Sequence, residues 1–154
     1  VIKVDHDKGA APLLTIFGGK LTTYRCLAEE SMDRLAPFFP GLKRRWTDTE
    51  KLPGGDVEHF NRFRDEMSER YGGMGRDLVD GIVRRHGSRA PMILGAAKHL
   101  DDLGRYFGGG LTEREVGYMR EHEWAQTAED VLWRRTKCGL HMTAAEREAF
   151  ADWF

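Results

Sequence analysis

At 154 residues the chain has the length of one ordinary domain, enough to bury a hydrophobic core of its own. Its 24 Lys and Arg against 25 Asp and Glu leave a formal charge of −1, which gives no electrostatic reason to expect a nucleic-acid partner. Two distant cysteines, Cys26 and Cys138, exclude a disulfide framework or a zinc site and are expected to be reduced thiols of a cytoplasmic protein. No apolar run approaches the ~18 residues that cross a bilayer. The opening VIKV has no initiator methionine and does not resemble a signal peptide, so the chain reads as a processed product or a piece of a longer protein.

Residues 1–17 are the only stretch that reads as strand. Val1 to Val4 and Leu13 to Phe17 flank the turn-rich DHDKGAAP, which predicts a short hairpin, and a lone hairpin wants a larger sheet. From Lys20 onward the pattern is helical. Leu21, Tyr24, Ala28, Met32 and Leu35 recur at steps of three and four, until Pro37 and Pro40 end the run. A connector follows from Gly41 to Gly55, holding Trp46 and the PGG turn. Val57, Phe60, Phe63, Met67 and Tyr71 make a second stripe, closed by Gly72 and Gly73; Met74, Leu78, Val79, Ile82 and Val83 make a third, closed by Gly87.

Ser88 is expected to cap a helix with Pro91 in its first turn, running from Met92 to Leu100. DDLGRYFGGG reads as a loop. In LTEREV, Thr112 and Glu115 have the spacing of a capping box, and Leu111 with Val116 that of a hydrophobic staple. Thr127 begins a further helix, carrying Val131, Leu132, Trp133 and Thr136 and stopped by Gly139. Thr143 and Glu146 repeat the capping box ahead of a last helix with Ala149, Phe150 and Trp153. The expected fold is mainly α: a short strand leader and helix over 1–40, then an all-helical bundle domain over 41–154.

Chemistry concentrates in LLTIFGGKLTTYR. Gly18 and Gly19 let backbone approach a planar or anionic ligand closely, because no Cβ intervenes. A helix starting just after them would aim free N–H groups and the positive end of its dipole at the turn. Lys20 adds a full charge, and Thr22 and Thr23 add hydroxyls. Such a set suits a group that becomes negative, such as a phosphate or the N1–C2=O edge of a reduced flavin. An ordinary strand–turn–helix junction accounts for the same residues, and GGK is shorter than a P-loop. The residues leave both readings open.

Elsewhere the signals are structural. His59, His86, His99 and His141 have no ligand-like spacing, and His122-Glu123 lacks the second histidine of HExxH. No metal site, GxSxG, CxxC or paired-carboxylate arrangement is expected. Arg134, Arg135 and Lys137, like Arg84, Arg85 and His86, are cations at helix C-termini and are expected on solvated faces, where they complement the dipole. The four tryptophans, Trp46, Trp124, Trp133 and Trp153, are expected as core or interface anchors.

APLLTIFGGKLTTYRCLAEESMDRLAPFFPG, WTDTEKLPGG and REHEWAQTAEDVLWRRTKCGL, in this order and at these distances, resemble the C-terminal portion of aerobic FAD-dependent glycerol-3-phosphate dehydrogenases. The resemblance runs from about Ala11 to Phe154. It implies that residues 1–40 close a FAD-binding domain and that the remainder is that family's helical C-terminal domain. It also implies oxidation of sn-glycerol 3-phosphate to dihydroxyacetone phosphate, by hydride transfer from C2 to flavin N5 with quinone as final acceptor. Carried onto this chain, Gly18, Gly19, Lys20, Leu21 and Thr22 would face the flavin, with Lys20 also reaching substrate or the flavin C2 carbonyl. Arg25 falls within the motif without an implied role, and Cys26 stands where many relatives are expected to carry a basic residue.

The dinucleotide-binding GxGxxG and the substrate domain are absent from this sequence, so no complete catalytic set is expected in it, nor FAD binding or activity by the 154 residues alone. The helical part is expected to serve packing and interaction, including homodimer contacts. Location is expected to be cytoplasmic, peripheral on the inner face of the cytoplasmic membrane. Two alternatives stand beside this reading: an oxidase of the same family that uses oxygen as acceptor, and a free-standing helical interaction module.

Overall fold

Alternation in the first residues produces the expected hairpin. In the computed structural model, which describes Val1–Phe154, Ile2–Asp5 (β1) and Leu13–Ile16 (β2) pair antiparallel, Ile2 opposite Ile16 and Asp5 opposite Leu13. The pairing is extended by the Val1 ammonium donating to the Phe17 carbonyl at 3.0 Å and the Phe17 N–H donating to Val1 at 2.8 Å. The chain divides into two compact units, Val1–Lys51 and Leu52–Phe154.

In the first unit a 3-10 turn, Leu21–Thr23, precedes the helix Tyr24–Leu35 (α1), so α-helical geometry begins one turn later than the periodicity predicts. Pro37, in the 3-10 turn Ala36–Phe38, prevents its continuation. The predicted apolar stripe of α1 is not a buried face. Leu21, Tyr24, Ala28 and Met32 are all exposed, Leu21 at 89%, whereas Glu29 and Ser31 are buried. Glu29 is tolerated there because Arg25, Arg45 and Thr47 all donate to its carboxylate. The same arginine pairs with Asp33, so Arg45 fastens the connector to α1.

The second unit holds two hydrophobic cores. Phe60–Arg70 (α2), Arg76–His86 (α3) and Ala90–Leu94 (α4) enclose the first, through Met67, Tyr71, Val79, Ile82, Val83, Ile93 and Leu94. The Tyr71 hydroxyl donates to the Gly95 carbonyl at 2.8 Å, which satisfies a buried phenol. Helix α4 is shorter than predicted: it ends at Gly95, whose φ of +55° suits glycine and stops the run well before Leu100. Pro91 lies in its first turn as expected, but Ser88 is not its cap; that hydroxyl donates to Asp56 instead.

The second core is built from Tyr106–Gly108 (β3), Leu111–Thr112 (β4), Glu113–His122 (α5), the π-helical turn Asp130–Arg135 and Ala144–Trp153 (α6). The stretch read as a loop contains β3, paired antiparallel to β4, so this unit is not all-helical. Three successive glycines, the last residue of β3 and the two of the turn, conceal the hairpin in the sequence: Gly108, Gly109 and Gly110 all have positive φ and leave no apolar alternation to read. Leu111 and Val116, the predicted staple, are both fully buried in this core.

In the π-helical turn the Thr136 N–H donates to the Val131 carbonyl at 3.1 Å, a five-residue step. Lys137, at φ +65°, stops the run; Gly139 instead lies in the 3-10 turn Cys138–His141 beneath the Trp133 ring. Thr143 and Glu146 form the predicted reciprocal cap of α6, Glu146 N–H to Thr143 Oγ1 at 3.2 Å and Thr143 N–H to Glu146 Oε2 at 2.7 Å. No helix is long and apolar enough to cross a membrane.

The PGG turn is locked onto the end of α3. Ser88 N–H donates to the Gly54 carbonyl at 3.1 Å, and a Cβ on Gly87, whose φ is +53°, would lie 2.0 Å from that carbonyl oxygen. Gly87→Ala is therefore expected to lower the unfolding free energy by about 2 kcal/mol or more, from backbone strain and displacement of the turn. Gly72→Ala, with open space around its Cβ position, should change it by less than about 1 kcal/mol. Urea titrations of both variants check this.

Candidate functional site

The glycine turn is built as its composition suggests, with one change at the helix start. Gly18 and Gly19 adopt φ of +81° and +131°, and Lys20 returns to extended backbone as N-cap of the 3-10 turn. A Cβ on Gly18 would meet no atom within 4 Å, whereas one on Gly19 would press on Leu27 Cδ2 at 3.1 Å. The outer side of the turn is thus bare backbone against which a planar group can lie. Thr23 closes the turn from inside, its N–H and hydroxyl both donating to the Lys20 carbonyl at 3.0 and 3.3 Å.

The first turn leaves the Leu21 and Thr22 amides without intrahelical acceptors. Lys20, Leu21 and Thr22 are exposed, and Lys20 forms no ion pair. Arg25, whose role the sequence left open, pairs with Glu29 at 3.2 Å. These residues fit a flavin edge: bare backbone for the ring, and a free cation with open amides for a negative carbonyl edge.

A second constellation lies in the other unit, where solvated cations and a helix cap are expected. Arg85 Nε and Nη2 donate to Glu115 Oε1 and Oε2 at 2.7 and 2.9 Å, and Nη2 also donates to the Gly110 carbonyl at 3.0 Å. His86 Nε2 lies 2.7 Å from Glu115 Oε1, and its Nδ1 lies 3.3 Å from Glu123 Oε1. Glu115 is 0% exposed. Drawn to these cations, it makes no reciprocal cap with Thr112, whose hydroxyl is left buried without a hydrogen bond. Of the expected solvated trio only Arg84 behaves so, pairing with Asp80 at 2.7 Å on the surface.

Both ring nitrogens of His86 face carboxylate oxygens, so both contacts are hydrogen bonds only when the ring is an imidazolium. Two cations and two anions then cancel. Burial alone would push His86 down, but its hydrogen bonds to Glu115 and Glu123 outweigh that and raise it above the ordinary histidine value. Burial would likewise push Glu115 up, and the bonds from His86 and Arg85 hold it below the ordinary carboxylate value. Every charge in the cluster is spent on a partner, leaving no free acid, base or nucleophile. It is a structural centre that ties α3 to α5 and to the β3–β4 turn.

Spacing carried a signal for it. Val79, Ile82, Val83 and His86 form one buried row of α3, and Leu111, Glu115 and Met119 another through β4 and α5.

EHEW, at 121–124, and Arg135 meet at this centre. Glu123 turns its carboxylate to His86, and its carbonyl accepts from Arg135 Nε at 2.9 Å. Glu123 and Ala125 N–H both donate to the Met119 carbonyl, at 3.0 and 3.1 Å, with Trp124 between them at φ +53°. Glycine is the usual residue there, and an L side chain in that conformation costs about 1–2 kcal/mol. Trp124 is nevertheless 78% exposed, and Trp46 is exposed too. Trp133 and Trp153 are the core anchors; Trp153 packs on Phe107 at 4.6 Å between ring centroids.

Residues 45–152 match the family described as the C-terminal domain of alpha-glycerophosphate oxidase. The chain belongs to this family. It is 46% identical, over 96% of its length, to D-erythritol 1-phosphate dehydrogenase of Brucella abortus (strain 2308), and 44% identical, over 95%, to glycerol-3-phosphate dehydrogenase of Pseudomonas aeruginosa. It is 38% identical, over 99% of its length, to the aerobic glycerol-3-phosphate dehydrogenase of Escherichia coli (strain K12). The chain spans about 30% of the length of these curated relatives.

Removing Glu115 strands two buried cations, so Glu115→Ala is expected to destabilise the second unit by about 3 kcal/mol; Arg84→Ala, on an exposed pair, should cost less than about 1 kcal/mol. Denaturant unfolding of both variants reads the difference. The pH dependence follows from the directions of the shifts. His86 is raised on folding, so its contribution is complete below the unfolded value of about 6.5 and is lost as pH rises through the folded value. Glu115 is lowered, so its share is present above the unfolded carboxylate value and is lost as pH falls through the folded one. Unfolding free energy should decline as pH rises above the unfolded histidine value of about 6.5 and through the folded one, and His86→Gln should remove that decline.

Proposed function

We propose that the chain is the C-terminal portion of an FAD-dependent dehydrogenase that oxidises sn-glycerol 3-phosphate to dihydroxyacetone phosphate and passes electrons to quinone. The observation that carries this reading is the family match over residues 45–152, and the names of two relatives at 38–44% identity agree with it. FAD, when bound, would supply the acceptor for a hydride from C2 of the substrate. Gly18 and Gly19 would leave room for the ring; Lys20 and the Leu21 and Thr22 amides would stabilise negative charge on its carbonyl edge, and Lys20 would also reach substrate. Residues 1–40 would then close the FAD-binding domain, and residues 41–154 would serve packing and interaction, including homodimer contacts, without catalysing anything alone.

A surface of the first unit supports a peripheral position on the inner face of the cytoplasmic membrane. Phe39 and Trp46 are exposed apolar groups, and Lys43 and Arg44 are exposed cations in the same segment.

A second reading concerns the substrate, since the relative at 46% identity is a D-erythritol 1-phosphate dehydrogenase. The complete protein, expressed with the residues that precede Val1, is expected to be yellow and to reduce a dye with glycerol 3-phosphate. Higher kcat/KM with D-erythritol 1-phosphate would move the assignment to the four-carbon substrate, and peroxide in place of dye reduction would make the protein an oxidase. A colourless complete protein inactive on both substrates overturns the proposal. In that protein Lys20→Met should lower kcat/KM by on the order of 100-fold.

A further inference from the structure

Three charged groups and one strained residue meet where α5 ends. Glu123 holds His86 with its side chain, Arg135 holds the Glu123 carbonyl, and Trp124 follows in a left-handed conformation with its indole in solvent. We propose that His86 is a proton-operated latch on this corner: as an imidazolium it clamps Glu123 and fixes the presentation of Trp124, and as a neutral ring it keeps Glu115 and releases Glu123.

A neutral imidazole donates through one nitrogen only. The Nε2 contact to Glu115 is the shorter, at 2.7 Å, and joins two buried side chains. The Nδ1 contact to Glu123 is longer, at 3.3 Å, and the Glu123 side chain is 29% exposed. The remaining proton therefore stays on Nε2, where its loss would leave a buried carboxylate oxygen without its closest donor. Nδ1 then presents a lone pair to a carboxylate, and Glu123 is the partner that water can solvate. The released side chain leaves the corner held only through backbone, by the two N–H bonds to Met119 and the Arg135 bond to the carbonyl.

Other ionisable groups lie around the ring, each with its own charge and contacts. Tyr118 stands edge-on to His86 at 5.3 Å between centroids and is raised by burial, so it remains a neutral phenol. Cys138, beside Arg85 and Glu115, is raised by burial and remains a thiol. Arg85 is spent on Glu115 and Gly110, and Arg89, which acts on Tyr118, is a permanent cation. His122 is tilted against Tyr118 at 4.9 Å between centroids and pairs with exposed Glu121 rather than with Glu115 or Glu123. His86 is itself raised, which puts the release on the alkaline side of the ordinary histidine range.

NMR of the 154-residue chain tests this directly. The His86 ring carbons and nitrogens report protonation, and the Trp124 amide and indole N–H report the corner. With pH, both sets are expected to shift with one midpoint, and base-corrected exchange of the Ala125 amide should rise at least about tenfold across it. In Glu123→Gln the His86 midpoint should fall and the Trp124 signals should no longer follow it. His86→Gln should give the released Trp124 signals at every pH; should that variant not fold, the Glu123→Gln titration decides. A His86 ring that is a single neutral tautomer near pH 6, or Trp124 signals that stay fixed while His86 titrates, would overturn the latch.

Discussion

One carboxylate with no access to water organises the second unit. Glu115 can be ionised there only because Arg85 grips both of its oxygens and His86 takes a share of one, and each of those cations is buried only because Glu115 is present. The requirement runs outward. Arg85 also caps the carbonyl of Gly110, so the β3–β4 turn is placed by the same guanidinium. His86 reaches on to Glu123, and through it the end of α5 is set relative to the end of α3. Two apolar cores that share few long side chains are thereby held in one register by polar contacts with defined directions, something apolar packing alone supplies less sharply.

The first unit follows a different logic. Its buried carboxylate, Glu29, is satisfied from the connector by Arg45 and Thr47, while the apolar positions of α1 point outward. An amphipathic helix with its apolar stripe exposed is incomplete as a packing element. The glycine turn beside it is likewise open on its outer side. Both features suit a segment whose working surroundings are a flavin and more protein, which is the reading proposed for this chain.

Much of this was legible in the residues where one local rule acted without competition. The β1–β2 hairpin, the stripe of α3, the Phe63, Met67 and Tyr71 part of the stripe before it, and the Thr143–Glu146 cap formed as their patterns predict, whereas Phe60 is exposed. The same capping pattern at Thr112–Glu115 did not, because two cations thirty residues upstream offered its glutamate a stronger partner than the helix end. His86 was expected on a solvated face and Glu115 in a helix cap; their spacing from Val79, Ile82 and Val83, and from Leu111 and Met119, puts them in buried rows, but a charged residue in such a row says nothing about where its counter-charge lies in the fold. The β3–β4 hairpin was hidden because glycines, not alternating side chains, make its turn. The exposure of α1 could not be read either, since spacing predicts an apolar face and never what covers it.

The π-helical turn at Asp130–Arg135 carries a consequence for chain length. Its five-residue hydrogen-bond step accommodates one residue more than an α-helical turn would, with Val131 and Leu132 in the core at one end and Arg135 on the Glu123 carbonyl at the other. Removing one residue between those anchors would let the turn relax to α-helical spacing while swinging Arg135 off the corner it braces. The extra residue is therefore a spacer, setting the phase between the buried face of this segment and the arginine that supports the end of α5.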